Sequence, residues 1–98
     1  MYGYLGSMKT LPGQRDAVIE ILLRDVDGLR SAGAILYVVG ADGVDPDLIR
    51  VTEVWASKEH HHASLQLPEV KAAIAEAMPM LTREFTSHEL TVVGGLGV

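Results

Sequence analysis

The sequence predicts an α+β fold of ferredoxin-like order, β-α-β-β-α-β, with two helices on one face of a four-stranded antiparallel sheet. Three observations carry this. Residues 2–9, 34–39, 48–56 and 84–93 have strand patterning, and residues 14–30 and 68–81 repeat apolar side chains at helical spacing. Proline or glycine marks several of the junctions between these segments. With 98 residues, 48% of them hydrophobic, the chain fits one domain, 1–98, with a modest core.

The first strand places Tyr2, Tyr4, Gly6 and Met8 on one face and Leu5 and Ser7 on the other. Pro12-Gly13 ends it and opens a helix over 14–30. There Val18, Ile19, Leu22, Val26 and Leu29 form the apolar stripe, with Arg15, Asp16, Glu20, Arg24 and Asp27 mostly opposite. Ser31-Ala32-Gly33 stops the helix. Residues 34–39 then run apolar on both sides, the pattern of a strand covered on both faces. A turn-rich loop, 40–47, leads to a strand with Ile49, Val51, Glu53 and Trp55 on one side and Arg50, Thr52 and Val54 on the other.

Ser57 reads as the N-cap of a short helix reaching about residue 66. Pro68 restarts a helix whose stripe is Val70, Ala73, Ile74, Ala77, Met78 and Leu81, and Pro79 should bend or end it. A last strand over 84–93 is followed by a glycine-rich tail. Both helices fall on one sheet face, and nothing in the chain remains to cover the other. Pairing two sheets across a symmetric interface is the simplest cover, so the pattern predicts a homodimer.

Composition removes several classes of function. The chain has no cysteine, which excludes disulfides, thiolate metal sites and cysteine nucleophiles. A formal charge of −5 with eight scattered Lys plus Arg argues against nucleic acid. No signal-peptide pattern or membrane-length apolar stretch is evident, so no membrane partner is expected and the cytoplasm is the expected location.

Candidate chemistry gathers around residues 53–68. Adjacent helical side chains point about 100° apart, so His60, His61 and His62 cannot converge on one ion, and no metal site is expected. The sequence singles out His61 as the inward one, with Leu65 four residues on. At the mouth of an apolar pocket, a histidine is a credible base. Glu53 shares a strand face with Val51 and Trp55 and suits a polar group turned into a pocket; its simpler reading is an ion pair, with Arg50 or Arg83, or a backbone partner at the sheet edge. Trp55, Tyr4 and Tyr37 suit an aromatic-lined cavity, ordinary core and dimer packing being the simpler reading of each. Met8, Met78 and Met80 could form a soft wall. Asp42, Asp45 and Asp47 lack the glycine and terminal glutamate of a calcium loop and read as turn formers. His88 reads as a surface residue.

The Leu11-Pro12-Gly13 strand end, a glycine before the Leu36-Tyr37 strand, Glu53-Val54-Trp55 and the Leu67-Pro68 break together resemble the antibiotic-biosynthesis-monooxygenase-like family of small dimeric α+β barrel proteins. The resemblance implies a dimeric barrel with a pocket between helices and sheet. It also implies a cofactor-free monooxygenase acting on an aromatic, phenolic or quinol substrate with molecular oxygen. A base would deprotonate the phenol, and the anion would react directly with oxygen, with no flavin or metal.

On that resemblance His61 or His60 is the base, and Tyr37, Trp55, Glu53 and Tyr4 are substrate-binding groups. Many relatives carry a histidine after an alanine in this helix, where this chain has Ser64 after Ala63. The haem-degrading relatives look for an asparagine, a tryptophan in this helix and a histidine in the next, none of which is matched here. The alternative is a non-catalytic dimeric barrel that binds a small apolar ligand or serves as an accessory subunit.

Overall fold

A computed structural model describes all residues, 1–98. In it β1 (Tyr2–Thr10), β2 (Ala34–Ala41), β3 (Leu48–Trp55) and β4 (Leu81–Thr91) form one antiparallel sheet in the order β2-β3-β1-β4. Helices α1 (Arg15–Leu23), α2 (Val26–Ser31), α3 (Lys58–Ser64) and α4 (Pro68–Ala77) make the rest, with a 3-10 turn at Met78–Met80. This is the ferredoxin-like arrangement, with each helical arm in two pieces.

Cross-strand register assigns the faces. Tyr37, Glu53, Tyr4 and Glu89 stand in one row, Val39, Val51, Gly6 and Ser87 in the next, then Ala41, Ile49, Met8 and Phe85. The helices cover this face over β2, β3 and β1, where Val18, Ile21 and Ala77 close on Ile49 and Val51 to form the core. The opposite face carries Leu36, Val54, Gly3 and Leu90 in one row and Val38, Thr52, Leu5 and His88 in the next. Val38 is 51% exposed and Leu5 and Leu90 are also exposed, so this apolar end of the sheet is uncovered.

The helix expected over 14–30 is two helices. Asp25 leaves helical geometry at φ −138°, ψ 55°, and its carboxylate fills the space where a Cβ on residue 28 would stand, which Gly28 leaves open. Aspartate and glycine are both weak in helix interiors, and the chain breaks where they fall three residues apart. Pro79 ends α4 as its missing N–H requires, and the last strand begins three residues earlier than expected, at Leu81, which pairs with Thr10 across an irregularity in β1. The residues of the expected α4 stripe are not all buried: Ile74 and Met78 are exposed and Ala77 is enclosed.

The aspartates of the 42–47 turn are engaged by the protein itself. Asp42 Oδ2 accepts from the N–H groups of Val44 (3.1 Å) and Asp45 (2.9 Å), while Arg50 Nε donates to its Oδ1 at 2.7 Å. These contacts pull the Asp42 carboxyl down to about 2, the Asp45 N–H contributing most. Lys9 pairs with Asp45 at 3.0 Å.

Candidate active site

A cavity of about 880 Å³ opens between the helices and the sheet. Its floor is the β1 and β4 end of the helix-side face, where Gly6 and Ser87 contribute little or no side-chain volume. Its walls come from the end of α1, the break at Asp25, α2, α3 and α4. The broken first arm lends Arg24, Asp25, Gly28 and Leu29 to this lining.

His61 stands in its wall. Ser57 caps α3, its Oγ accepting from the His60 N–H at 3.2 Å, and this fixes the first turn against the end of β3. His61 as a residue is then only 6% exposed, its imidazole stacked on Tyr4 at 4.8 Å between ring centres, 5.3 Å from Tyr2, and edge-on to Trp55 at 5.5 Å. Burial, with His62 adding to it against a smaller opposing pull from Glu89, holds the imidazole below its ordinary pKa. It is neutral at pH 7. Its Nδ1 is enclosed without a hydrogen-bond partner, and its Nε2 lies 3.9 Å from Glu53 Oε1, beyond hydrogen-bond reach.

Glu53 is half-buried in the centre of the same wall. Trp55 Nε1 donates to its Oε1 at 3.0 Å, and no cation pairs with it. Burial raises its carboxyl pKa, and the indole N–H only partly opposes the rise. Because Glu53 and His61 are each pushed toward their neutral forms, their 3.9 Å approach is a polar contact rather than an ion pair. Tyr37, beside Glu53 in the sheet row, has its hydroxyl pushed up to about 12, first by burial and then by the Glu53 charge.

The ion pair expected for Glu53 is corrected by this geometry. Arg50 lies on the opposite sheet face and pairs with Asp42, as strand parity requires, and Arg83 lies beyond the Met8 row at the far end of β4. The inward face of α3 also differs: His61 and Ser64 are buried three residues apart, while Leu65 is 40% exposed. Ser64 Oγ donates to the His61 carbonyl at 2.6 Å, satisfying its buried hydroxyl inside the helix.

Five of the six residues singled out from sequence, His61, Tyr37, Trp55, Glu53 and Tyr4, line the cavity. His60 does not. It is exposed, its Nδ1 sits 2.6 Å from Ser57 Oγ, and its ring covers Gly33, whose φ of 108° and missing Cβ make room for it. Met8 lines the cavity, Met78 and Met80 do not, and Phe85, Ser87 and Val70 do so without having been anticipated. Their signal was weak because it lies in tertiary placement: β4 reads as a strand from sequence, but nothing in it says which neighbour it meets. No three His, Asp or Glu side chains cluster closely enough to share a metal ion.

Fold and site together define a small α+β protein with an apolar cavity carrying one enclosed, neutral histidine. The chain belongs to the antibiotic biosynthesis monooxygenase family, whose model matches residues 1–76. It is similar to the structure of a candidate antibiotic biosynthesis monooxygenase from Chloroflexus aurantiacus, with 49% identity, coverage of 96% of this chain and 94% of that one, and a TM-score of 0.83. Structures so described from Deinococcus radiodurans (21% identity, coverage 100% and 98%, TM-score 0.82) and Caulobacter crescentus (18%, 95% and 90%, 0.86) share the fold. No curated protein matches the chain.

Proposed function

We propose that the protein is a cofactor-independent monooxygenase that oxidises an aromatic, phenolic or quinol substrate with molecular oxygen, working as a homodimer. The observation that carries this reading is His61, an imidazole kept neutral near pH 7 in the wall of an apolar cavity. Tyr4, Tyr37 and Trp55 line the cavity with aromatic rings that suit a flat substrate, and Glu53 Oε1 lies 3.9 Å from the histidine Nε2.

In this reading His61 takes the proton of a phenolic hydroxyl, breaking O–H and forming N–H. The phenolate is electron-rich enough to pass electrons to oxygen. One oxygen atom bonds to a ring carbon, and the other leaves as water with the two hydrogens given up by the hydroxyl and that carbon. The product is a quinone, and no outside reductant is required. The cavity contributes orientation and exclusion of water.

Oxygen uptake with a panel of quinols and polycyclic phenols tests this. The wild type is expected to consume oxygen, His61→Ala to lose about 100-fold or more, as for loss of a general base, and His60→Ala to stay near wild type. No uptake across the panel, or full activity in His61→Ala, refutes it. One observation favours the second reading, a non-catalytic dimeric barrel that binds an apolar ligand or serves as an accessory subunit: His61 Nδ1 has no acceptor to fix its tautomer.

A further inference from the structure

The gap between His61 and Glu53 has a definite size. Nε2 and Oε1 are 3.9 Å apart, too far to bond one another and less than twice a hydrogen-bond length. An oxygen atom about 2.8 Å from each fits between them. Of the two ring nitrogens, Nδ1 is sealed inside the protein and Nε2 is the one turned toward Glu53. Glu53 Oε1 already accepts from Trp55, which fixes the carboxyl's position, and the cavity reaches both residues.

We infer that a single hydroxyl of the ligand binds in this gap, bridging His61 Nε2 and Glu53 Oε1, so that Glu53 touches the substrate and the two side chains act as one proton-accepting unit. This rests on the reading of the cavity as a site for hydroxylated aromatics. With Glu53 ionised, Nε2–H donates to the ligand oxygen and the ligand O–H donates to Oε1. With Glu53 protonated, both directions reverse, the carboxyl donating and Nε2 accepting. Either state flanks the oxygen with one donor and one acceptor, which a hydroxyl satisfies and a methyl group, an ether or a bare ring edge does not. The departing proton goes to whichever member of the pair lacks one, leaving an oxyanion held by the other. Tyr37 and Tyr4, on either side of Glu53 in the sheet, confine the ring that carries the hydroxyl.

The test is calorimetric binding of 1-naphthol and its near-isostere 1-methylnaphthalene, under nitrogen, to the wild type, Glu53→Leu, Glu53→Gln, His61→Phe and the Glu53→Leu, His61→Phe double variant. The wild type is expected to prefer the naphthol by roughly tenfold to a hundredfold, the range for hydrogen bonds to ionisable partners. Glu53→Leu and His61→Phe should each remove most of that preference, the double variant should lose no more than either alone, and Glu53→Gln should keep most of it. Absence of the preference in the wild type, its survival in Glu53→Leu, or additive losses in the double variant overturns the bridge; the wild-type comparison decides the matter should a variant fail to fold. Turnover plays no part, so a preserved preference without oxygen uptake removes only the monooxygenase reading, and uptake without a Glu53-dependent preference removes only the bridge.

Discussion

Enclosure moves the two titrating groups toward one another, the Glu53 carboxyl up and the His61 imidazole down. Glu53 has a folded pKa above about 4.5, so its contribution to stability is full below that pH and is lost as pH rises through the raised value. His61 has a folded pKa below about 6.5, so its contribution is full above that pH and is lost as pH falls through the lowered value. Glu53→Gln keeps an acceptor for the Trp55 N–H and removes the buried charge. Thermal melts should therefore show the variant more stable than the wild type at pH 8, with the difference vanishing near pH 4. A wild type that is the more stable protein at pH 8 would mean that the indole hydrogen bond outweighs the cost of enclosing the carboxylate. At this scale the sequence was informative about which residues meet at the cavity and poor about their partners. The alternation of β3 put Glu53 beside Trp55, and the same parity should have ruled out Arg50. His61 was correctly turned inward, but its buried companion is Ser64, because α3 meets the sheet along an i, i+3 line that its composition does not reveal.

Among the elements, α3 depends most on one side chain. It is seven residues long, too short to persist on its own propensity, and Ser57 both accepts from the His60 N–H and contacts the His60 ring. Ser57→Ala should cost about 1 kcal/mol in chemical denaturation, and faster amide exchange at His60 and His61 than elsewhere in the chain would locate the loss. Equal exchange in both proteins would show that packing against β3 holds the helix unaided. Alternation made β1 and β3 legible from sequence, the unbroken apolar run marked β2, and Ser57 and Pro68 marked their helix starts. The break in the first helix was not legible, because its apolar stripe continues through Val26 and Leu29 without interruption. What breaks it is the Asp25 carboxylate folding over Gly28, an interaction that leaves the periodicity untouched.

For the whole molecule, the unresolved balance is on the sheet. Its helix side is covered over β2, β3 and β1, while β4 is exposed from Arg83 to Thr91 and the opposite face shows Leu5, Val38 and Leu90 to solvent. The homodimer expected from the two-sided apolar pattern of β2 would bury this surface. Light scattering at micromolar concentration should give twice the chain mass, and Val38→Lys should shift the protein toward monomer by placing a charge on the exposed apolar face. A stable wild-type monomer would leave that apolar surface without an explanation. The β-α-β-β-α-β order was readable because each segment carries its own strand or helix patterning. The strand order β2-β3-β1-β4 and the cavity beneath the broken helix arise from how the segments meet, which no single segment encodes.

Trp55 is the only tryptophan in the chain, and it is 1% exposed with its N–H bound to Glu53. All of the protein's indole emission therefore originates at the cavity wall. The molecule carries a native optical probe in which unfolding, protonation of the neighbouring carboxyl and the arrival of an aromatic guest each alter the light from one ring.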